Sequence, residues 1–137
     1  MEKFKQLNLS EDLLEAIRRE GFDTPSEIQE KTIPLVLAGK DVIGSSETGS
    51  GKTLAFGAGI IDRVTAGAGI QALILTPTRE LAEQVGQTIS KFANKKRLRV
   101  TQVYGGVSMD PQIRAMRQAD IVVGTPGRLL DHLERRT

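Results

Sequence analysis

One stretch of the chain decides the fold: Ser46-Glu47-Thr48-Gly49-Ser50-Gly51-Lys52-Thr53. It lies between the apolar run Val42-Ile43-Gly44 and the segment Leu54-Ala55-Phe56, so it occupies the turn between a predicted strand and a predicted helix. A helix N-terminus offers unpaired N–H groups and the positive end of the peptide dipole, which together attract phosphate. The stretch therefore predicts a phosphate-binding loop.

The residue types in this loop suit a nucleotide with Mg²⁺. Gly49 and Gly51 can adopt positive φ and leave room for a phosphate oxygen, while Lys52 supplies charge and Thr53 a hydroxyl for the metal. The pattern G-x-x-x-x-G-K-[ST] has glycine where this chain has Ser46, and serine is small enough for a tight turn. A Gly/Ser-rich surface loop that ends in Lys-Thr is the alternative.

Composition sets the broad class of protein. With 137 residues and 39% hydrophobic residues, the chain is expected to form one globular domain. A net charge of +2 is too small to predict nucleic-acid binding from bulk electrostatics. Cysteine is absent and His132 is the lone histidine, which excludes metal sites built from those two residue types. No apolar signal or membrane-length run occurs, so a cytoplasmic protein without membrane contact is expected.

Two helices are predicted before the loop. The first covers Ser10–Glu20, with a serine N-cap and basic residues in its last turn. The second is expected to begin at Thr24 as N-cap, with Pro25 at N1 and Glu27 completing a capping box, and to end at Gly39. Both would precede the strand that enters the phosphate-binding loop.

Strands and helices alternate four times from the loop onward. Such alternation predicts an α/β fold with three layers, in which helices cover both faces of a mostly parallel sheet of about four strands. Ala72–Leu75 is predicted to be buried on both faces. The expected strands are Val42–Ile43, Ala72–Leu75, Val100–Tyr104 and Ile121–Val123. The helices that follow them are Lys52–Val64, a helix with Leu81, Val85, Ile89 and Phe92 on one face, Pro111–Arg117, and Pro126–Glu134. The last of these helices contains Leu129, Leu130 and Leu133.

Ligands of such sheets bind at the carboxyl ends of the strands. Beyond the phosphate-binding loop, the turns expected there are Thr76–Glu80, Gly105–Val107 and Gly124–Arg128. Hydroxyl groups, glycines and arginines at helix starts suit the phosphates of an elongated polyanion. They are equally typical of helix caps with solvated arginines, and spacing alone leaves both interpretations open.

Read together, these turns resemble the first RecA-like domain of a DEAD-box RNA helicase. The matching stretches are Gly21–Gln29 for the Q motif with Phe4 upstream, Ser46–Thr53 for motif I, Pro77–Ala82 for motif Ia, Gly105-Gly106 for the GG motif and Thr125–Arg128 for motif Ib. The resemblance implies a RecA-like fold of the P-loop NTPase type that is incomplete. Residues 1–40 would be the Q-motif region, and 41–137 the P-loop and βα units through motif Ib.

The resemblance implies a site for ATP or ADP with Mg²⁺. Gln29 would read the adenine edge with its amide, Phe4 would pack on the ring, and Thr53 would reach the metal through the nucleotide. A surface glutamine and a core phenylalanine are the alternatives for the first two. The full nucleotide set is Phe4, Phe22, Gln29, Ser46, Thr48, Gly49, Ser50, Gly51, Lys52 and Thr53.

It also implies binding to the backbone of single-stranded or duplex RNA. The contacting residues would be Pro77, Thr78, Arg79, Gly105, Gly106, Thr125, Gly127 and Arg128. With no tryptophan, one tyrosine and four phenylalanines, base stacking is not expected to dominate, so recognition should not depend on sequence. The basic run Lys95–Arg99 is expected to be solvated rather than an RNA site.

The printed sequence has no Asp-Glu-Ala-Asp or Ser-Ala-Thr motif and no second RecA-like domain. The resemblance therefore implies binding without ATP hydrolysis or unwinding by this chain, with no catalytic residue assigned. An engineered or truncated P-loop scaffold that binds phosphate is one alternative. A nucleotide kinase is another, but it would not explain Pro77–Ala82.

Strand order leads to a further expectation. In the resembled fold, the strands that carry the two missing motifs lie between the strand entering the loop and Ala72–Leu75. The resulting open edges would be satisfied by re-pairing within the chain, or by a homodimer that pairs or exchanges strands, and the homodimer is favoured here.

Overall fold

The computed structural model describes residues 1–42 and 51–137. The chain packs as two compact units, one formed by 1–64 with 91–96 and the other by 65–90 with 97–137. Val42 is not part of a strand, and Ile43, the other residue of the predicted strand Val42–Ile43, lies outside the described residues. Among the residues that are described, no helix has both the length and the apolar character needed to cross a bilayer.

Seven helices and three strands are assigned within the described residues. In chain order they are α1 (Glu2–Lys5), α2 (Glu11–Arg19), α3 (Glu27–Leu37), α4 (Lys52–Arg63), β1 (Ala72–Leu75), α5 (Arg79–Ala93), β2 (Val100–Val103), α6 (Met109–Met116), β3 (Ile121–Gly124) and α7 (Pro126–Glu134).

The first unit is helical, and α2 begins at the predicted serine. The Ser10 hydroxyl accepts from the N–H of Leu13 at 3.3 Å, which satisfies one free donor of the first turn. Asp62 of α4 in turn accepts from the backbone N–H and the hydroxyl of Ser10, at 2.7 and 2.6 Å. Lys96 lies 3.8 Å from the Asp62 carboxylate with only 21% of its side chain exposed, so the prediction of a solvated basic run is wrong at this lysine.

The start of α3 differs from the prediction. Its N-cap is Ser26, not Thr24, and the capping box joins Ser26 to Gln29. The Gln29 Oε1 atom accepts from the Ser26 N–H at 3.0 Å, and the Ser26 hydroxyl accepts from the Gln29 N–H at 3.4 Å. Starting two residues later places the glutamine at N3, where its amide also reaches α4.

Helices α3 and α4 pack closely because one position on α4 has no side chain. A Cβ atom at Gly59 would lie 2.5 Å from Cγ1 of Val36, closer than carbon atoms approach each other. The apolar core of this unit consists of fully buried side chains on all four helices, including Phe4, Leu13, Ile17, Ile33, Leu54 and Ile61. This packing holds the N-terminus of α4 beside the start of α3.

The second unit contains a parallel sheet in the order β1-β3-β2. In the register, Leu75 and Val103 both pair with Gly124, so they share one face of the sheet. Leu129 of α7 lies 3.0 Å from a Cβ placed on Gly124, whereas Gly86 of α5 packs against Gln102, which points to the other face. Helices thus cover both faces, which confirms the predicted α/β class with three strands described.

Burial in β1 contradicts the prediction of a strand buried on both faces. Leu73 and Leu75 are 56% and 60% exposed, while Ile74 between them is buried. The reason is position, because β1 is an edge strand that pairs with β3 alone in the described sheet. Every residue of the central strand β3 is buried.

The apolar faces of two helices also differ from the predicted ones. On α7, Leu129 packs on the cluster of Val103 and Met116, but Leu130 and Leu133 are exposed. On α5, the buried positions include Ala82, Ile89 and Phe92, whereas Leu81 is exposed and Val85 is half-buried. The prediction is therefore confirmed at Leu129, Ile89 and Phe92 and wrong at the exposed leucines.

The buried carboxylate of Asp120 organises the start of the sheet. Its two oxygens accept from the N–H groups of Gly67 at 2.9 Å and Arg99 at 2.8 Å. Its backbone also bonds Gln71 and Arg99. A single residue ahead of β3 therefore fixes the segments that lead into β1 and β2.

Candidate functional site

Helix α4 begins directly after the last glycine of the stretch that the sequence predicts to bind phosphate. Gly51 is the N-cap and adopts the left-handed conformation with φ +81°, which favours glycine. Because glycine has no side chain, it brings no acceptor of its own to the first N–H groups of the helix. Lys52 is exposed and Thr53 half-buried at this end. Ser46, Thr48, Gly49 and Ser50 lie outside the described residues.

Gln29 joins the start of α3 to the start of α4. Its Nε2 atom donates to the carbonyl oxygen of Gly51 at 3.2 Å, while Oε1 is held by the Ser26 N–H. The side chain is 2% exposed, so it is not a surface glutamine. A Cβ at position 51 would collide with the Gln29 amide, which gives a second reason for glycine there.

The two phenylalanines predicted to lie near a base occupy different environments. Phe4 is completely buried in the helical unit, as expected for its alternative role as a core anchor. Phe22 is half-buried, and its ring centroid lies 5.8 Å from that of Phe92. These contacts fix the chain on either side of α2.

In the sheet unit, the turn after β1 approaches the turn after β2. The Arg79 guanidinium lies 4.6 Å from the centroid of the Tyr104 ring and 3.7 Å from a Cβ placed on Gly106. Its Nε atom pairs with Glu83 at 3.2 Å, and that hydrogen bond raises the pKa of Arg79 above its usual value. The arginine is half exposed, so a permanent positive charge stands beside the glycine pair.

Neighbouring residues of the first of these turns are also placed at the surface. Pro77 and Thr78 are exposed, and the Thr78 hydroxyl accepts from the N–H of Leu81 at 3.2 Å at the start of α5. Thr78 therefore caps a helix, as the alternative interpretation of these turns expected. Capping leaves the hydroxyl proton able to donate to a further acceptor.

The turn after β3 is bonded to the turn after β2. Arg128 donates from Nη2 to the carbonyl oxygen of Val107 at 2.8 Å and from Nη1 to Oε1 of Gln112 at 3.2 Å. Thr125 is the N-cap of α7 without a side-chain capping bond, so its hydroxyl is not used there. A Cβ placed on Gly127 or Gly105 would meet no atom within 4 Å, so both backbones are open to a ligand.

Sequence reasoning missed two residues at this end of the sheet. Gln112 and His132 are both buried, and their side chains lie 3.2 Å apart through Oε1 and Nε2. Burial lowers the pKa of His132, with a further contribution from the charge of Arg128. The available signal was a glutamine four residues before Met116, on the apolar face of α6.

A family model described as DEAD/DEAH box helicase matches residues 26–137. The chain belongs to the DEAD/DEAH box helicase family. The match includes the capping box of α3, the start of α4 and all three turns of the sheet unit. The resemblance identified from the short motifs is therefore confirmed at the level of the family.

Relatives of this DEAD-box chain are found in archaea and bacteria. A probable ATP-dependent RNA helicase of Methanocaldococcus jannaschii is 49% identical over 135 residues, covering 98% of this chain and 37% of the relative. The DEAD-box ATP-dependent RNA helicase CshA of Streptococcus pneumoniae is 53% identical over 136 residues, with coverages of 98% and 26%. The chain thus spans about a third or less of the length of these relatives.

Two solved structures have the same fold as this chain. A DEAD box protein from the hyperthermophile Methanococcus jannaschii has a TM-score of 0.93 at 48% identity, covering 97% of this chain and 37% of that one. A hypothetical ATP-dependent RNA helicase from Sulfolobus tokodaii has a TM-score of 0.86 at 44% identity, with coverages of 93% and 37%. These similarities confirm the RecA-like α/β fold of the DEAD-box chain.

Proposed function

We propose that the chain binds ATP or ADP with Mg²⁺ and the backbone of RNA, as the nucleotide- and RNA-binding part of an ATP-dependent RNA helicase. Family membership supports the class, and the relatives are named as ATP-dependent RNA helicases. The helical unit carries the nucleotide residues and the sheet unit carries the RNA residues. Each half of the proposal rests on its own observation.

The nucleotide half is carried by the hydrogen bond between Gln29 and Gly51. It attaches the residue proposed to read the base to the loop proposed to hold the phosphates. The Gln29 side-chain amide uses one N–H for Gly51 and one lone pair of Oε1 for Ser26. It keeps a second N–H and a second lone pair with which to bind an adenine edge. Lys52 and Thr53 would hold the phosphates and the metal at the α4 N-terminus, where the peptide dipole favours anions.

The RNA half is carried by the meeting of three turns at the carboxyl end of the parallel strands. Arg79 lies beside Gly106, and Arg128 is bonded to Val107. Exposed main chain, a permanent charge and a threonine hydroxyl are the groups that typically contact phosphate and sugar without reading sequence. The proposed RNA set keeps Pro77, Thr78, Arg79, Gly105, Gly106, Thr125, Gly127 and Arg128.

A titration of the 137-residue chain with fluorescent ADP and Mg²⁺ tests the nucleotide half. Lys52→Ala should weaken binding about tenfold or more, since it removes the charge nearest the outer phosphates. Lys40→Ala, at an exposed lysine outside the loop, is the matched control. Equal affinities of the wild type and Lys52→Ala would rule out the proposed phosphate site.

Other candidates have less support. A nucleotide kinase is disfavoured because the helicase family model covers residues 26–137. A phosphate-binding scaffold without turnover predicts the same ADP titration but no RNA binding, so an RNA titration separates it from the proposal. The cytoplasmic location and the homodimer or strand exchange stay predictions.

A further inference from the structure

The glycine turn, residues 104–107, is held at both ends by two side chains that also bond each other. Gln112 donates from Nε2 to the carbonyl oxygen of Tyr104 at 2.8 Å. Arg128 donates from Nη2 to the carbonyl oxygen of Val107 at 2.8 Å and from Nη1 to Gln112 at 3.2 Å. The pair of glycines lies between the two held carbonyls, so one hydrogen-bonded cluster encloses it.

Gln112 is the centre of this cluster. It is buried, and besides Arg128 its Oε1 atom has His132 Nε2 at 3.2 Å. The other ring nitrogen of His132 lies 2.8 Å from the hydroxyl of Thr137. If a buried amide loses such partners, its polar groups are left unsatisfied, which costs free energy. A network in which all these groups are satisfied therefore resists rearrangement. The glutamine is therefore suited to fix the conformation of what it holds.

Arg128 is a poor candidate for a direct phosphate ligand in this arrangement. Its side chain is 11% exposed, and its Nε atom lies 3.9 Å from Asp131. Both terminal nitrogens already donate to protein oxygens. Arg79, by contrast, has 52% of its side chain exposed and can turn its planar fork to a phosphate.

The glycine turn itself offers the main chain to a ligand. Gly106 has φ +82°, and a Cβ on Gly105 would meet nothing within 4 Å. Within the described part of the chain, no hydrogen bond uses the N–H of either glycine. Successive free N–H groups in a turn form an anion-binding concavity when the turn keeps one conformation.

We propose that Gln112 is a positioning residue for RNA binding, which locks Arg128 and the glycine turn into one arrangement. Arg128 then acts on RNA through the turn, and the main chain of Gly105 and Gly106 meets the phosphate. This inference rests on the RNA binding proposed above. It changes the role of Arg128 from ligand to internal support.

Backbone ¹⁵N relaxation of the free 137-residue chain, measured by NMR, tests the positioning without RNA. Gln112→Met keeps the length of the side chain and removes its hydrogen bonds, so the order parameters of residues 105–107 should fall from about 0.85 to about 0.6 or below. Gln87→Met, at an exposed glutamine of α5, should leave those order parameters unchanged. Unchanged order parameters in folded Gln112→Met overturn the proposal. Should Gln112→Met not fold, Arg128→Lys is measured in its place, with the same expected and contrary results.

Titration with oligouridylate RNA across salt concentrations tests the role of Arg128. Gln112→Met and Arg128→Lys should each weaken binding about tenfold, and the double variant should bind no worse than either single variant. The salt slope should stay that of the wild type, because no phosphate contact is lost. Arg128→Lys keeps the charge but not the two hydrogen bonds of the guanidinium, so affinity equal to that of the wild type would show that the charge alone suffices and would overturn the proposal.

The two experiments separate failure of this inference from failure of RNA binding. A wild type without salt-dependent RNA binding contradicts the proposed function. The order parameters still decide whether Gln112 holds the glycine turn. RNA binding that is normal in Gln112→Met contradicts the positioning role and leaves the proposed function intact.

Discussion

Lys96 donates a hydrogen bond from Nζ to the carbonyl oxygen of Ile61 at 2.7 Å. The carbonyl of Val64 lies 3.4 Å from the same atom, so one lysine satisfies two acceptors, one in the last turn of α4 and one at its C-cap. A positive charge at a helix C-terminus also interacts favourably with the peptide dipole. A residue from the basic run thus helps to hold the helix that begins at the proposed phosphate site.

Lys96→Met should therefore lower the free energy of unfolding by about 1 to 3 kcal/mol, the range for losing hydrogen bonds to a partly buried charge. Lys95→Met is the control, because Lys95 makes a solvent-exposed pair with Glu15, and such pairs contribute little to stability. Urea denaturation of both variants measures the difference. Equal midpoints for the two variants would contradict the capping role.

Gln29→Ala should reduce the preference for ADP over GDP about tenfold, because the amide is the group proposed to read the base. The variant should also be less stable by about 1 to 2 kcal/mol, since it loses the capping box and the bond to Gly51. Glu30→Ala, at the exposed next position of α3, is the control. Calorimetric titration with both nucleotides measures the ratio, and an unchanged ratio would remove Gln29 from base recognition.

Arg79→Ala should reduce the salt dependence of RNA binding by about one unit of the log–log slope, the effect of losing one phosphate contact. Arg18→Ala removes the same charge from an exposed site on α2 and should leave the slope unchanged. Binding isotherms of an unstructured RNA between low and moderate salt supply both slopes. If the slopes of the two variants agree, Arg79 is a solvated arginine.

His132 should make the stability of the chain depend on pH below neutrality. Its pKa is lowered from 6.5 by burial, with Arg128 and Arg135 acting in the same direction and Asp131 against them. The unfolded chain then binds the proton more readily than the folded chain. The contribution of His132 to the free energy of unfolding is therefore fully present above about pH 6.5 and is lost as the pH drops through the lower pKa of the folded chain.

His132→Gln removes the lone histidine, and the loss of stability between pH 7.5 and 5.5 should be smaller in the variant than in the wild type. Thermal unfolding at both pH values measures it. The same pH dependence in both proteins would show that carboxylates cause it.

The open edge of β1 should mediate association at micromolar concentration. Leu73 and Leu75 expose more than half of their surface on an edge strand, which is a template for pairing with a second chain. Leu73→Lys should shift the chain toward monomer, because a charge on an edge opposes pairing. Leu130→Lys, at an exposed leucine of α7, is the control. Light scattering that gives a monomer for the wild type at every concentration would contradict the homodimer.

The order and type of most elements follow from local features of the sequence. The N-cap at Ser10, the glycine pair after β2 and the apolar runs of β1 and β3 act over a few residues, so their consequences can be predicted without the fold. The predicted start of α3 is wrong because two possible capping boxes overlap there, Thr24 with Glu27 and Ser26 with Gln29. The second one also brings the Gln29 amide to Gly51, a tertiary contact that the local pattern does not contain.

The α/β class, the family and the turns that carry the candidate sites could be predicted from the amino-acid sequence, because periodicity and short motifs are local properties of the chain. Which of these side chains are held by other parts of the protein, and which are exposed to a ligand, depends on the tertiary structure. Gln112 reaches Arg128 across 16 positions and Lys96 reaches Ile61 across 35, and such partners depend on how helices pack. A buried polar side chain takes whichever partner that packing brings within hydrogen-bonding distance, so its role is decided when the core forms.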